Sequence, residues 1–161
     1  MKSMDNHFYL ELWPLVPRLL SQGDRNPLSP TWGSFQRDFW HYRTVTDFPS
    51  APYQQAVLSL AELYRAEVPG NPWYRHPEIL SHIQGALLFW CRSQRKDGSF
   101  DEWYPNEQSF VATAFTAFAV SETLRILPEE TRAACRSRVL AALEQSLAWL
   151  SRRTDAEVIN H

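Results

Sequence analysis

The sequence is poor in cysteine and has no long apolar run, and each shortage narrows what the chain can be. Its two cysteines, Cys91 and Cys135, both lie in apolar helical patterns, which is typical of buried free thiols. No apolar stretch approaches the about 20 residues of a membrane span, and the first residues lack the apolar core of a signal peptide. A net charge of −2 gives no sign of a basic surface for nucleic acid. These absences predict a soluble, cytoplasmic protein that binds neither a membrane nor nucleic acid.

What the sequence has in excess is aromatic residues: seven tryptophans, six tyrosines and nine phenylalanines in 161 residues. Hydrophobic residues make up 44% of the chain, enough to bury a core, and this excludes a disordered protein. Aromatic side chains fill cores first. A surplus in loops also indicates a surface on which rings such as sugars can stack.

Residues 1–49 are predicted to form a first segment, an N-terminal helix followed by a long aromatic-rich loop. Two prolines inside the helical pattern predict an irregular or kinked helix. The loop contains a polar-aromatic cluster, in which an arginine could hold a carboxylate and the rings could stack on a sugar. The alternative is a loop that its own aromatic side chains attach to the domain. The candidate binding residues of this cluster are Arg37, Trp40, His41 and Tyr42.

Residues 50–161 are predicted to form a second, helical segment. One helix is expected from Ser50 to before Pro69, and another from near Pro77 to about Arg95. No strand pattern of useful length occurs in the sequence.

Two further helices are expected, over residues 109–127 and 129–152. The first three turns of the earlier one contain no charged residue, which predicts a helix buried on all sides. Glu129 and Glu130 in the first turn of the later one suit the helix dipole. The order of helices predicts an all-α fold of antiparallel helix hairpins, and an ordinary helical bundle is the alternative.

The connection between the second and third of these helices carries the most informative motif, Gln-Arg-Lys-Asp-Gly-Ser-Phe at residues 94–100. Asp97 and Gly98 are a favourable turn pair, because glycine accepts a positive φ and aspartate bonds nearby amides. The motif resembles the Asp-Gly turns of (α/α)-toroid proteins, more distantly those of terpenoid cyclases. The resemblance implies that the fold is part of a toroid, with residues 109–127 as an inner helix and 129–152 as an outer one.

Residues 90–107 resemble the N-terminal part of the heparinase II/III-like and alginate-lyase-like proteins, a polysaccharide lyase group. The resemblance implies a cleft for an anionic, uronate-containing polysaccharide that is cleaved by β-elimination. Asn160 and His161 match an Asn-His pair of those enzymes, which implies that Asn160 neutralises the uronate carboxylate and His161 acts on the C5 proton. The alternative for these two residues is a frayed tail. A closed toroid needs more helices than this chain can supply, so a partial toroid is expected.

Four residues after the turn are candidates for binding sugar. Trp103 and Tyr104 could stack on sugar rings, and Asp101 and Glu102 could hydrogen-bond at the rim of a cleft. The alternative is that the acids pair with Arg95 or a neighbouring lysine while the aromatic rings cover helix ends. An acidic pair also suits an anionic polymer poorly.

No metal site and no cofactor are predicted. His76 and His82 lie six residues apart, a spacing that does not place them on one helical face as zinc ligands. No glycine-rich phosphate loop or Ser-His-Asp signature occurs. The expected function is that of a toroid segment of a polysaccharide-processing protein, a lyase if the full product is longer. The alternative is a non-catalytic carbohydrate-binding or assembly module.

A partial toroid leaves the flank of its last hairpin uncovered. Burying a leucine or tryptophan is worth on the order of 2 kcal/mol, so several exposed ones favour association. We therefore expect self-association or a missing C-terminal toroid segment. The candidates for the uncovered flank are Phe8, Leu10, Trp13, Leu147, Trp149 and Leu150.

Overall fold

The computed structural model describes residues 11, 13–42, 48–131 and 133–153. Most of these residues are helical and none lies in a strand, which confirms the all-α prediction for the described part of the chain. None of the helices described is long and apolar enough to cross a membrane. The α-helices are α1 (Val16–Gln22), α2 (Ala56–Arg65), α3 (Pro77–Ser93), α4 (Phe110–Ile126) and α5 (Ala133–Leu150), with short 3-10 turns at Trp13–Leu15 and Ala51–Gln55 and a π-turn at Asp38–Tyr42.

Helices α2 to α5 pack side by side, each against two others. Helix α2 packs on α3 and α4, and α5 packs on the same two helices. Arg75 N donates to Tyr64 O at 2.9 Å, which joins the end of α2 to the start of α3. Arg136 Nη1 donates to Leu124 O at 3.2 Å, which joins the end of α4 to the start of α5. Helices α3 and α4 therefore lie at opposite corners, and the chain between them crosses the end of the bundle.

The core is continuous across these helices. The apolar stripe that the sequence indicates on α3 is buried along its whole length, as expected for period 3.6. Val16 and Phe35 of the N-terminal segment belong to the same core cluster. Cys135 is buried and Cys91 half-buried, both as free thiols, and burial raises the pKa of the Cys91 thiol to about 11. The buried α3 stripe consists of Ile79, Ile83, Ala86, Leu87 and Trp90.

The prediction that α4 is buried on all sides is wrong. Phe115 and Phe118 are 56% and 60% exposed. The buried positions of α4 recur at spacings of three and four residues, because α4 packs on α2 and α5 through one side only. A helix that is apolar all round gives no polarity contrast from which its buried side can be read.

Two helix boundaries also differ from the predictions. Residues expected at the start of the last helix form a turn instead, in which Thr131 Oγ1 donates to Leu127 O and Glu130 pairs with Arg65 at 2.8 Å. The helix expected from Ser50 has Ser50 at its N-cap and ends at Arg65, before Pro69 as predicted, but its first residues form a 3-10 turn. The shifted start of the last helix reflects the Arg65–Glu130 pair, which joins residues far apart in sequence.

The uncovered flank is only partly as expected. Leu147 is 58% exposed, as a flank residue should be. Trp149 is 7% exposed, which contradicts its assignment to an open flank, because its ring lies 6.4 Å from that of Phe110. Leu150 and Trp13 are half-buried, and Phe8 and Leu10 lie outside the described residues.

Candidate functional site

The connection from α3 to α4, residues 94–109, is called the crossover loop below, and its middle is tied into the core. Phe100 is fully buried and stacks on Trp90, with ring centroids 4.8 Å apart. Phe100 N donates to Thr113 Oγ1 at 3.0 Å, and Ser109 N donates to Phe100 O at 2.8 Å. Residues 100–109 thus form a closed loop whose two ends are fixed to each other and to α4.

The first turn of the crossover loop docks on α5. Gly98 has φ 97°, and a Cβ there would lie 2.4 Å from Gln145 O, so only glycine fits. Gln94 Nε2 lies 2.7 Å from Ala142 O and 2.8 Å from Ser146 Oγ. The Asp-Gly pair therefore forms the turn that the sequence predicts, and it joins α5 to the loop.

Asp97 closes this turn with its side chain. Its Oδ1 accepts from the backbone N and the hydroxyl of Ser99 at 3.0 and 2.7 Å. Partial burial acts to raise the pKa of Asp97, but the hydrogen bonds from Ser99 and the charge of Arg95 together hold the pKa below its usual value. The carboxylate is therefore ionised at neutral pH.

A second carboxylate organises the outer part of the loop. Glu107 Oε2 accepts from the backbone N–H of Glu102, Trp103 and Tyr104, at 3.0, 2.8 and 3.4 Å. Three consecutive donors converge on one oxygen, as amides do on bound anions. Sequence reasoning missed Glu107 as an organising residue; the signal available was an acid following a run of turn residues, which is too common to single it out.

Asp101 and Glu102, both sequence-predicted site residues, have partners inside the loop. Asp101 accepts from Arg95 at 3.1 Å and from the backbone N–H groups of Asn106 and Gln108, each at 3.0 Å. Glu102 Oε2 accepts from Ser109 Oγ at 2.9 Å. These contacts fix the loop backbone, including the positive φ of Asn106 and Gln108.

Trp103 and Tyr104 project from this fixed backbone. Their side chains are 62% and 71% exposed, the two most exposed aromatic residues among those described. Adjacent exposed aromatic side chains form an apolar patch of the kind that marks binding sites. The two residues are called the stacking pair below.

The N-terminal cluster is fixed to the end of α1. Trp40 Nε1 donates to Gln22 O at 2.7 Å, and Arg37 Nη1 lies 3.5 Å from Ser21 O. The rings of His41 and Tyr42 meet edge to face at 4.6 Å, and the Arg37 guanidinium lies 5.8 Å from the Tyr42 ring. These contacts attach the loop by its aromatic side chains, and Tyr42 remains 51% exposed.

The two candidate clusters are linked indirectly, through Ser50 and Ala51. Ser50 N donates to Gln36 Oε1 at 2.7 Å, next to the N-terminal cluster. Ala51 N donates to Asp101 O at 3.0 Å, in the crossover loop. Among the described residues, no hydrogen bond, ion pair or ring contact joins the stacking pair to Arg37, Trp40, His41 or Tyr42.

No protein family, curated protein or solved structure matches this chain. The resemblance to polysaccharide lyases therefore rests on the sequence motifs.

The remaining candidates do not join the crossover loop. Asn160 and His161 lie outside the described residues. His76 caps α3, where its Nδ1 accepts from Glu78 N at 3.2 Å. Burial, and then Arg25, lower the pKa of His82, with Glu78 acting in the opposite direction. Within the described part of the chain, no three His, Cys, Asp or Glu residues are grouped as metal ligands.

Proposed function

We propose that this chain is an oligosaccharide-binding module and that the stacking pair is its binding surface. The observation that carries the proposal is the exposure of Trp103 and Tyr104 on a backbone fixed by Glu107. Indole and phenol rings stack on the C–H faces of sugars, and both carry a polar edge that can reach a hydroxyl. A backbone that is already ordered loses little entropy on binding, so a small surface can suffice.

The test is replacement of Trp103 by alanine. We expect affinity for the oligosaccharide to fall about tenfold, because the main stacking surface is removed. The Trp103→Phe variant, which keeps a ring, should lose much less. Binding is measured by titration calorimetry, and by the indole N–H signal of Trp103 in NMR spectra, identified by its absence in the alanine variant.

The melting temperature of Trp103→Ala serves as the control. Since the side chain is 62% exposed, the free energy of unfolding should change by no more than about 1 kcal/mol. Unchanged affinity in a folded Trp103→Ala variant, or binding of no oligosaccharide by the wild-type chain, would show that the pair is not a sugar surface.

We further propose that the helices belong to an (α/α)-toroid segment of a polysaccharide-processing protein. The packing of α2 beside α4 and of α3 beside α5 supports this, because successive hairpins of a toroid lie side by side. Lyase chemistry remains a proposal for a longer product, since it assigns the reaction to Asn160 and His161. The carboxylates near the stacking pair accept hydrogen bonds from the loop, and we assign none of them as the base or the acid of a β-elimination.

An assembly role is the second candidate, favoured by the exposed face of α4. Phe115 and Phe118 lie one turn apart on that face, and Leu140 and Leu147 are exposed on the neighbouring helix α5. Covering such side chains contributes about 1–2 kcal/mol each. We propose self-association through these residues, or their coverage by a further C-terminal toroid segment.

The oligomeric state tests the assembly role. Light scattering after size-exclusion chromatography should give a mass that rises with concentration for the wild-type chain. The Phe115→Ser and Phe118→Ser double variant should stay monomeric with an unchanged melting temperature, since both side chains are largely exposed. A wild-type chain that remains monomeric at the highest soluble concentration would contradict self-association.

A further inference from the structure

The charges around the stacking pair differ from what a uronate polymer requires. Residues 95–107 contain two basic and four acidic residues, a net charge of −2. Arg95 is paired with Asp101 at 3.1 Å, so its charge is already matched. Against the three remaining acids, Asp97, Glu102 and Glu107, the segment offers only Lys96. The loop that carries the rings is therefore negative.

One of these acids, Glu107, accepts hydrogen bonds from the backbone that carries the rings. Glu107 Oε2 is 2.8 Å from the backbone N of Trp103 and 3.4 Å from that of Tyr104. All three hydrogen bonds that Glu107 accepts go to Oε2, which leaves its Oε1 without a hydrogen bond from the described residues. A ligand stacked on the pair therefore meets a carboxylate that has room for a donor.

Glu102 repeats this arrangement beside the pair. It is half-buried, and its Oε2 accepts from Ser109 Oγ, while its Oε1 accepts no hydrogen bond from the described residues. Two carboxylate oxygens thus remain as acceptors next to two exposed rings. Charged donors such as ammonium groups are stronger partners for such oxygens than hydroxyl groups are. These two glutamates would repel a carboxylate on the ligand.

We propose that the stacking pair binds oligosaccharides of amino sugars, whose free ammonium groups pair with Glu102 and Glu107, and that it rejects uronate polymers. This inference rests on the proposed function and names the substrate class of the same site. It replaces the anionic polymer that the resemblance to lyases implies.

The size of the effect follows from Coulomb's law. Two unit charges about 7 Å apart in water change an affinity about threefold. Two carboxylates acting together therefore give about a tenfold difference in affinity, at low salt, between a cationic ligand and a neutral one. The Debye length is about 10 Å at 0.1 M salt and shorter at higher concentrations, so added salt should reduce the discrimination.

The experiment compares three oligosaccharides of equal length on the full chain: oligomers of glucosamine, of N-acetylglucosamine and of galacturonate. Titration calorimetry, supported by the Trp103 indole signal, should rank glucosamine first, N-acetylglucosamine about tenfold weaker, and galacturonate weakest or undetectable. At high salt, the difference in affinity between the glucosamine and N-acetylglucosamine oligomers should fall to about twofold.

The matched variants change charge and little else. Glu102→Gln with Glu107→Gln removes two charges but keeps an amide oxygen that can still accept from Ser109 Oγ and the loop N–H groups. We expect this variant to bind glucosamine and N-acetylglucosamine oligomers about equally. The control is Glu67→Gln with Glu129→Gln. It removes two exposed charges that follow the C-terminal ends of α2 and α4, and it should keep the wild-type ranking of the three oligomers.

The outcomes separate the inference from the proposed function. Binding of galacturonate as tight as that of glucosamine would overturn the inference and leave sugar binding intact. Binding of none of the three oligomers would overturn the proposed function itself. The double variant could alter the loop, which would be seen as displaced Trp103 and Tyr104 signals without ligand. In that case Glu102→Gln alone is the test. The inference is overturned if this variant ranks the three oligomers as the wild type does and high salt leaves the wild-type ranking unchanged.

Discussion

Replacing Phe100 by alanine is expected to lower the free energy of unfolding by about 3–5 kcal/mol. Phe100 is fully buried where the crossover loop crosses the end of the bundle, and its ring stacks on Trp90. Truncation leaves a cavity beneath the loop and removes the stacked contact. Because the stability of a domain is about 5–15 kcal/mol, the loss is a large share of the total. Urea unfolding followed by circular dichroism measures it.

Phe100→Leu is the control for this variant. A leucine fills much of the same space without the stacked ring, so its cost should be about 1–2 kcal/mol. We also expect Phe100→Ala to weaken oligosaccharide binding, because the backbone that positions Trp103 starts at this residue. An alanine variant that loses less than about 1.5 kcal/mol would show that the loop does not depend on the buried ring.

Gly33→Ala is expected to cost more than about 3 kcal/mol, or to prevent folding. Gly33 has φ 90°, which disfavours any residue with a Cβ, and the added carbon would lie 2.0 Å from the backbone oxygen of Gly85 on α3. The N-terminal segment would have to leave α3. That move would also break the hydrogen bond from Gln54 Nε2 to Gly33 O, at 3.0 Å.

Gly70→Ala separates the cost of the positive φ from the cost of the steric clash. Gly70 also has a positive φ, 83°, but an added Cβ would meet only the Trp13 ring, at 3.5 Å. This variant should therefore cost only the backbone term, about 1–2 kcal/mol. Equal melting temperatures of the two alanine variants would contradict a close approach of the N-terminal segment to α3. Differential scanning calorimetry on both variants gives the comparison.

Hydrophobic periodicity made much of the helical structure predictable. The α3 stripe is buried as expected, and α4 begins and ends within one residue of its predicted bounds, with Ser109 as its cap. The start of α5 was not predictable in the same way. Glu129 and Glu130 suit a helix start by type, whereas Glu130 is drawn to Arg65 on another helix. A contact between residues far apart in sequence leaves no local pattern.

The candidate site divides in a similar manner. Asp97 and Gly98 were recognisable as a turn, because both act through their own neighbouring backbone. Glu107 accepts hydrogen bonds from three backbone N–H groups, and this could not be predicted because it depends on the path of the chain around its carboxylate. The same holds for the exposure of Trp103 and Tyr104, since aromatic residues are as suited to a core as to a surface.

By itself, then, the sequence determined that the described chain is all-helical, where most helices lie, and that an Asp-Gly turn follows α3. These features depend on residues within a few positions of one another, whose spacing and backbone preferences act before the chain packs. Only the tertiary structure decided that α4 exposes Phe115 and Phe118, that Trp149 is buried, and that the stacking pair faces solvent. Each of these depends on which helix covers which side, and that is set by packing between segments distant in sequence.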